Sequence, residues 1–133
     1  MHGADFFDTN ILVYFAIQGA PRSDLAAELI EGGGTISVQV LNEFANVARG
    51  KMGMAWNEVG ETLQFICELL AVNSLTLEVH ERAIFLAERH NFHIYDATIV
   101  AAALEAGCRT LYTEDMHNGL LVENRLRIVN PFV

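Results

Sequence analysis

The apolar positions of this chain follow two patterns: short runs of the kind that form buried strands, and wider spacings of the kind that form helices. The short runs contain β-branched or aromatic side chains and end near glycine, acids or amides, as strands commonly do. On this basis the sequence predicts strands at residues 4–7, 35–38, 73–77, 109–113 and 126–129.

Apolar residues three or four positions apart predict helices between these strands. We expect Ser23 to cap the second helix, the glycines at 32–34 to end it, and Trp56 to begin a stripe of core residues. The helical patterns cover residues 9–17, 21–31, 41–48, 56–70, 79–90 and 96–104.

Strands that alternate with helices favour a mostly parallel sheet covered by helices. We therefore expect an α/β fold with a sheet of about four to five strands. No repeat, linker or low-complexity segment interrupts the pattern, so residues 1–133 are expected to form a single domain. A chain of this length can bury a core without disulfides or structural metals.

The composition is that of a globular protein, with 52% apolar and 19% charged residues. The longest apolar run, residues 11–17, is far too short to span a bilayer, and no basic segment precedes it as in a signal peptide. Cys67 and Cys108 lie in apolar patterns and are interpreted as buried free thiols. These features together indicate a cytoplasmic protein.

The net charge of −9, from 17 acidic residues against 8 Lys plus Arg, argues against a module that grips nucleic acid electrostatically. Two interpretations of this charge remain open. The acids could concentrate in one pocket that binds metal ions, or an acidic surface could bind a basic protein partner.

Four acidic residues occupy related places in the predicted fold. Asp8 ends the first strand, Glu43 lies in the first turns of the helix after the second, Asp96 begins the alanine-rich helix, and Asp115 follows the fourth strand. Because parallel strands end at the same edge of a sheet, we expect these acids on one side of the domain. Carboxylates in a shared cleft repel one another unless a cation intervenes, and oxygen-only sites select Mg²⁺ or Mn²⁺.

Each charged residue also has an ordinary interpretation when it is taken alone. Asp96 could simply cap its helix. His93 and His117 are interpreted as loop or pocket-rim residues, since no His and Cys cluster has the spacing of a zinc site. Arg49 and Lys51 are interpreted as a solvated turn, although both could contact substrate phosphates.

Taken together, the acidic motifs resemble those of PIN domains, and more narrowly the VapC-type toxins of bacterial toxin–antitoxin modules. The segments that carry the resemblance are residues 8–14 (DTNILVY), 42–44 (NEF), 95–97 (YDA) and 112–116 (YTEDM). The ending at residues 128–132 (IVNPF) is similar to the tail of one branch of these proteins. The motifs occur in the family's order and extend over essentially the entire chain.

The resemblance implies a three-layer α/β/α PIN fold and a metal-dependent endoribonuclease that acts as a toxin. Its substrate would be RNA, often tRNA or rRNA, hydrolysed by water activated by Mg²⁺ or Mn²⁺. An antitoxin protein would neutralise it, and a homodimer is expected from the amount of apolar helix surface. The residues that match the family's catalytic and metal-binding acids are Asp8, Glu43, Asp96 and Asp115, and those that match supporting positions are Asn10 and Thr113.

Two other function classes stay open beside this one. A phosphoryl-transfer domain could use Asp8 as a nucleophile, but a dehalogenase-type phosphatase would place an Asp where Asn10 stands, and a receiver would place a Lys near Asp115. A non-catalytic module could capture a basic partner in its acidic cleft. Within the last motif, the Thr-x-Asp order favours Asp115 and leaves Glu114 as a neighbour that faces another way.

Overall fold

The computed structural model describes residues 4–17 and 19–133, and residues 1–3 and 18 of the domain expected over residues 1–133 lie outside this range. The strands of the described chain are short, and all of them belong to one sheet. They are β1 (Asp5–Phe7), β2 (Thr35–Ser37), β3 (Ala71–Asn73), β4 (Thr110–Tyr112), β5 (Leu121–Val122) and β6 (Leu126–Val129).

The helices of the described chain separate the first four strands. They are α1 (Thr9–Ala16), α2 (Pro21–Glu31), α3 (Val38–Gly50), α4 (Trp56–Leu69), α5 (Leu77–His90) and α6 (Ile94–Glu105). Helix α1 packs on α2 and α3, α3 packs on α4, and α5 packs extensively on α6. Helix α6 is almost fully buried from residue 97 to 104, because its run of small apolar residues lets neighbouring backbone approach closely.

The sheet has the strand order β3-β2-β1-β4-β6-β5. Strands β1 to β4 and β6 pair in parallel, and only β5 among the described strands runs antiparallel to its neighbour. The predicted α/β architecture with a mostly parallel sheet is confirmed. The sheet has six strands instead of the four to five expected.

The additional strand is β5, which the sequence analysis missed because it is only two residues long. A tight turn at Glu123 and Asn124 joins it to β6, and both residues have positive φ, 52° and 55°. The connection spans residues 123–125 and is closed by a hydrogen bond from the backbone N–H of Arg125 to the carbonyl oxygen of Val122 at 3.0 Å.

The third strand was predicted at residues 73–77, and this prediction is wrong. The strand is Ala71–Asn73, paired with β2 so that Ile36 is opposite Val72. Leu77 begins α5, because the side chain of Thr76 accepts a hydrogen bond from the backbone N–H of Val79 at 3.2 Å and caps the helix one residue earlier.

One helix cap and two helix starts also differ from the predictions. Helix α2 starts at Pro21 as predicted, but its N-cap is Ala20, so Ser23 lies inside the first turn, where it is buried. Proline is favoured at the first helical position, because it has no N–H to satisfy. Helix α3 starts at residue 38, capped by Ser37, and α6 starts two residues before Asp96.

The prediction that Trp56 belongs to the core is wrong. Its side chain is 66% exposed, and the guanidinium carbon of Arg49 lies 4.9 Å from the ring centroid. Cys67 is exposed too, whereas Cys108 is buried as expected. None of the helices formed by residues 4–17 and 19–133 has the length and apolar character needed to cross a membrane.

Gly34 sets the spacing between β2 and β1. A Cβ atom there would lie 2.6 Å from Cε2 of Phe7, closer than Cβ atoms normally approach, and 3.0 Å from the carbonyl oxygen of Asp5, which is a tight contact. Its φ of +157° adds a second reason for glycine. The absence of a side chain at Gly34 therefore permits the close parallel pairing of these strands.

Candidate active site

The candidate site lies at the carboxyl ends of β1 and β4, the two central parallel strands. Phe7 is in register with Tyr112, and the backbone N–H of Asp8 donates to the carbonyl oxygen of Tyr112 at 3.0 Å. The residues after the two strands, Asp8 and Thr113, are consequently side by side. In open α/β sheets this edge is where ligands bind.

Asp8 is a buried carboxylate, with 6% of the residue exposed. Its Oδ1 accepts a hydrogen bond from the backbone N–H of Thr9 at 2.7 Å, and its Oδ2 accepts one from the hydroxyl of Thr113 at 2.8 Å. Burial raises the pKa of Asp8 from 3.8 to about 7, helped by the charges of Glu43 and Asp96 and opposed by these hydrogen bonds.

Thr113 is the centre of a hydrogen-bond network. Its fully buried hydroxyl donates to Asp8 and accepts from the side-chain amide of Asn10 at 3.2 Å and from the backbone N–H of Asp115 at 3.1 Å. Since a hydroxyl has two lone pairs and both are used, its single proton is directed to Asp8.

Asn10 connects the start of α1 to the loop after β4. Its Nδ2 donates to Oδ2 of Asp115 at 3.1 Å and to Thr113, and its Oδ1 accepts from the backbone N–H of Glu114 at 3.3 Å. The amide therefore holds the exposed Asp115 carboxylate next to the buried group of Asp8 and Thr113.

Glu43 lies on α3, half-buried, and both of its carboxylate oxygens accept hydrogen bonds. Oε1 accepts from the hydroxyl of Thr9 at 2.6 Å, and Oε2 accepts from Nε2 of Gln39 at 2.8 Å. Gln39 also donates to the carbonyl oxygen of Tyr95 at 3.1 Å. The carboxylate is thus tied both to the start of α1 and, through Gln39, to the first turn of α6.

Asp96 is the third residue of α6, whose N-cap is His93. Burial raises the pKa of Asp96, the negative charges of Asp115 and Glu43 raise it further, and His93 opposes these effects. Asp96 therefore lies close enough to Asp115 and Glu43 to feel their negative charges.

Residues from separate parts of the chain meet in one pocket of about 570 Å³. The acids predicted from sequence, Asp8, Glu43, Asp96 and Asp115, all line it. Among the described residues, none of the ion pairs includes any of these acids. Against these acids, the described lining residues include a single cationic side chain, Lys51, so the pocket concentrates negative charge.

Glu114 was expected to face another way, and this expectation is wrong, because Glu114 lines the same pocket as Asp115. Its charge, however, is paired with a cationic side chain. Nη1 of Arg22 lies 2.7 Å from Oε1 of Glu114, and the hydroxyl of Tyr14 is within hydrogen-bond distance of both carboxylate oxygens. The Arg22 guanidinium also stacks on the rings of Tyr14 and Phe132. This pairing distinguishes Glu114 from its neighbour Asp115.

The chemical type of the ligand atoms in the pocket suits a hard divalent cation. These atoms are carboxylate oxygens, which Mg²⁺ and Mn²⁺ prefer, and the pKa values of Asp8 and Asp96 are raised first by burial and further by neighbouring acids, whose charge a cation would offset. As the side chains stand, no group of three or more His, Cys, Asp or Glu in the described chain is close enough to hold an ion. Ion binding thus requires side-chain rotation, which the exposed Asp115 and half-buried Asp96 permit.

Two polar residues of the site were not among the residues singled out from sequence, namely Gln39 and Thr9, which both contact Glu43. Lys51, interpreted from sequence as part of a solvated turn, is exposed and lines the pocket. A helical spacing of four residues before Glu43 could have identified Gln39, because it predicts the same helix face. Adjacency to Asp8 could have identified Thr9.

Several solved structures share this fold. A toxin–antitoxin complex from Klebsiella pneumoniae has a TM-score of 0.72 at 20% identity, covering 96% of this chain and 97% of that chain. VapC20 of Mycobacterium tuberculosis, a toxin that cleaves the sarcin–ricin loop, has a TM-score of 0.63 at 20% identity, covering 84% and 89%. VapBC2 of Rickettsia felis, bound to a DNA fragment of its promoter, has 0.62 at 18% identity, covering 93% and 96%.

No curated protein sequence is similar enough to this chain to match it. The family model described as PIN domain does match, over residues 6–117. This range contains all of β1 except Asp5, the whole of β2 to β4, all the described helices and the four acids of the pocket. The chain therefore belongs to the PIN domain family.

Proposed function

We propose that this PIN domain is a divalent-metal-dependent endoribonuclease that acts as the toxin of a toxin–antitoxin module. The observation that carries the proposal is the convergence of Asp8, Glu43, Asp96 and Asp115 on one pocket from four separate parts of the chain. Membership of the PIN family supports nuclease activity in general. The fold shared with VapC20 and with two toxin–antitoxin complexes supports the toxin assignment.

The four carboxylates would hold Mg²⁺ or Mn²⁺, and Asn10 and Thr113 would keep Asp115 and Asp8 in place. When bound, the cation supplies positive charge toward an RNA phosphodiester and lowers the pKa of water. Asp8 would bind in its ionised form, although burial in the metal-free site favours its protonated form. tRNA or rRNA is the proposed substrate, and the cytoplasm is the proposed compartment.

The proposed protein partner is a cognate antitoxin with a basic residue that enters the acidic pocket. Val13, Ile17 and Val47 line the same pocket as the acids, so apolar and negatively charged surfaces adjoin. A segment with an apolar anchor followed by Arg or Lys would fit both, displace the cation and silence the nuclease. A homodimer is a further proposal, based on the exposed apolar side chains of the helices.

The test of nuclease activity is cleavage of purified tRNA and rRNA with Mn²⁺ or Mg²⁺, with and without EDTA. We expect cleavage that EDTA abolishes and that Asp8→Asn removes while circular dichroism stays unchanged. Cleavage at the wild-type rate by this variant would contradict the assignment of Asp8. Failure with every RNA and both ions, together with tight binding of a basic partner, would instead favour a non-catalytic binding module.

The test of the antitoxin is co-expression with the short reading frame adjacent to this gene. We expect a stable complex that neither cleaves RNA nor binds Mn²⁺. Replacing the partner's pocket-entering Arg or Lys with Ala should restore Mn²⁺ binding within the complex. A structure of the complex with the acidic pocket open to solvent would contradict this mode of inhibition.

A further inference from the structure

Gln39 is a buried, uncharged side chain that bonds both to Glu43 on α3 and to the backbone beside Asp96 on α6. It is 8% exposed and lies one helical turn before Glu43 on α3. Its Nε2 donates to Oε2 of Glu43 at 2.8 Å and to the carbonyl oxygen of Tyr95 at 3.1 Å. Because a side-chain amide nitrogen carries two protons, these two bonds use its full donor capacity.

The second oxygen of Glu43 is fixed independently. The hydroxyl of Thr9 donates to Oε1 at 2.6 Å, and Thr9 directly follows Asp8. Tyr95, which Gln39 contacts, directly precedes Asp96. Thr9 and Gln39 therefore connect the Glu43 carboxylate to the backbone segments that carry Asp8 and Asp96.

This arrangement restricts where the Glu43 carboxylate can lie. A glutamate on an exposed helix face samples several rotamers, whereas two donors on opposite oxygens fix both its position and its plane. In metal sites, groups that hydrogen-bond to a ligand orient it, and their loss commonly weakens metal binding by about 10–100-fold.

We propose that Gln39 is a positioning residue that, together with Thr9, holds the Glu43 carboxylate against the first turn of α6 for binding of the divalent cation. This inference rests on the proposed metal-dependent nuclease function. Gln39 does not contact the substrate or the reacting atoms in this role. It acts by setting the separation between Glu43 and Asp96 before the ion arrives.

The test uses Gln39→Met, which keeps the side-chain length and removes the donor. Titration calorimetry of the full-length protein with Mn²⁺ alone, without RNA, should show an affinity about 10–100-fold weaker than that of the wild type. In RNA cleavage, kcat should fall while KM for RNA changes little, because the substrate contacts are unaltered. Gln64→Met, an exposed position on α4 outside the pocket, is the matched control and should behave as the wild type.

Two further variants test the same role in case Gln39→Met fails to fold. Gln39→Asn keeps a polar amide but is one methylene too short to bridge both acceptors, and Thr9→Val removes the other donor to Glu43 with little change in shape. Each should weaken Mn²⁺ binding, and the double change Gln39→Asn with Thr9→Val should be non-additive, since both act on one carboxylate.

Folded Gln39→Met and Gln39→Asn proteins that bind Mn²⁺ within a factor of about two of the wild type would overturn the role of Gln39, since a lost positioning contact costs more. That result would leave the nuclease proposal standing. Wild-type protein that neither binds Mn²⁺ nor cleaves RNA would overturn the proposed function itself. The two failures are therefore distinguishable by the wild-type titration.

Discussion

Arg22 and Glu114 form an ion pair across 92 positions of sequence, with Nη1 and Oε1 2.7 Å apart. The pair neutralises the one acid that lies next to Asp115 in sequence and lines the same pocket. Phe132, near the carboxyl terminus, covers the guanidinium from one side, at 5.2 Å from its ring centroid. The net charge of the pocket thus depends on Arg22, a basic residue of α2.

We predict that Arg22→Met impairs RNA binding by exposing the charge of Glu114. An added unpaired negative charge at the pocket rim repels phosphates by a few tenths of a kcal/mol to about 1 kcal/mol, so KM for RNA should rise about two- to fivefold with kcat nearly unchanged. The measurement is steady-state cleavage at low ionic strength, where screening is weakest.

The control for this prediction is the double variant Arg22→Met with Glu114→Gln. Removing the unpaired charge should return KM toward the wild-type value, while the amide can still bond to Tyr14. If the double variant binds RNA as poorly as Arg22→Met alone, Arg22 contacts the substrate directly and the neutralisation argument fails.

Asp8→Asn should abolish cleavage while the metal-free protein stays folded near neutral pH, because the loss of a buried charge offsets the poorer match between the new amide and the donating hydroxyl of Thr113. The substitution removes a buried charge that lies near Glu43 and Asp96. We expect a loss of kcat of at least about 100-fold, a typical cost for an essential electrostatic group. Thermal unfolding in EDTA should remain a single cooperative transition, and a variant that is unfolded at assay temperature would contradict the prediction.

The pH dependence of stability should carry the signature of Asp8. Its pKa is about 7 in the folded protein and 3.8 when unperturbed, so between these values the folded state binds a proton that the unfolded state has released. Unfolding free energy in EDTA should therefore fall as pH rises through this window, by up to about 1.4 kcal/mol per pH unit from this group.

Asp8→Asn provides the reference for that measurement. The difference in unfolding free energy between wild type and variant should change across the window and become constant above it, because every other group titrates in both proteins. Denaturant unfolding at several pH values checks this. Parallel curves for the two proteins would show that Asp8 titrates at an ordinary pKa in the fold.

Mn²⁺ should stabilise the wild-type protein in proportion to its binding. At a free concentration of about 100 times Kd, the expected gain is about 2.7 kcal/mol of unfolding free energy, seen as a higher Tm that EDTA reverses. Asp96→Asn should reduce this shift strongly, since Asp96 belongs to the coupled acids of the pocket. An equal shift in both proteins would place the ion elsewhere.

The element order was predictable from sequence because local patterns determine it. Apolar spacing identified the helices and the strands with paired β-branched or aromatic residues, and acids at strand ends pointed to one sheet edge. The boundary errors arose where a cap competes with propensity: Thr76 starts α5 where the sequence also suited a strand, and Pro21 starts α2 ahead of Ser23.

The remaining features depend on contacts between distant segments. The ion-pair partner of Glu114 lies on α2, and Thr9, which bonds to Glu43, lies on α1, so no local pattern of charge indicates these contacts. The exposure of Trp56 likewise follows from how α4 rests on α3 and from its contact with Arg49, which helical periodicity alone does not reveal.

The close contacts at Gly34 affect how natural sequence variants of this gene should be classified. Any larger residue there would collide with Phe7 and push β2 away from β1, and α3 follows β2 without a linker. The displacement would be passed on to Glu43 and would separate it from Asp8 and Thr9. A survey that inspects only the acidic quartet would classify such an allele as intact, although the changed strand spacing would have disrupted the arrangement of these acids.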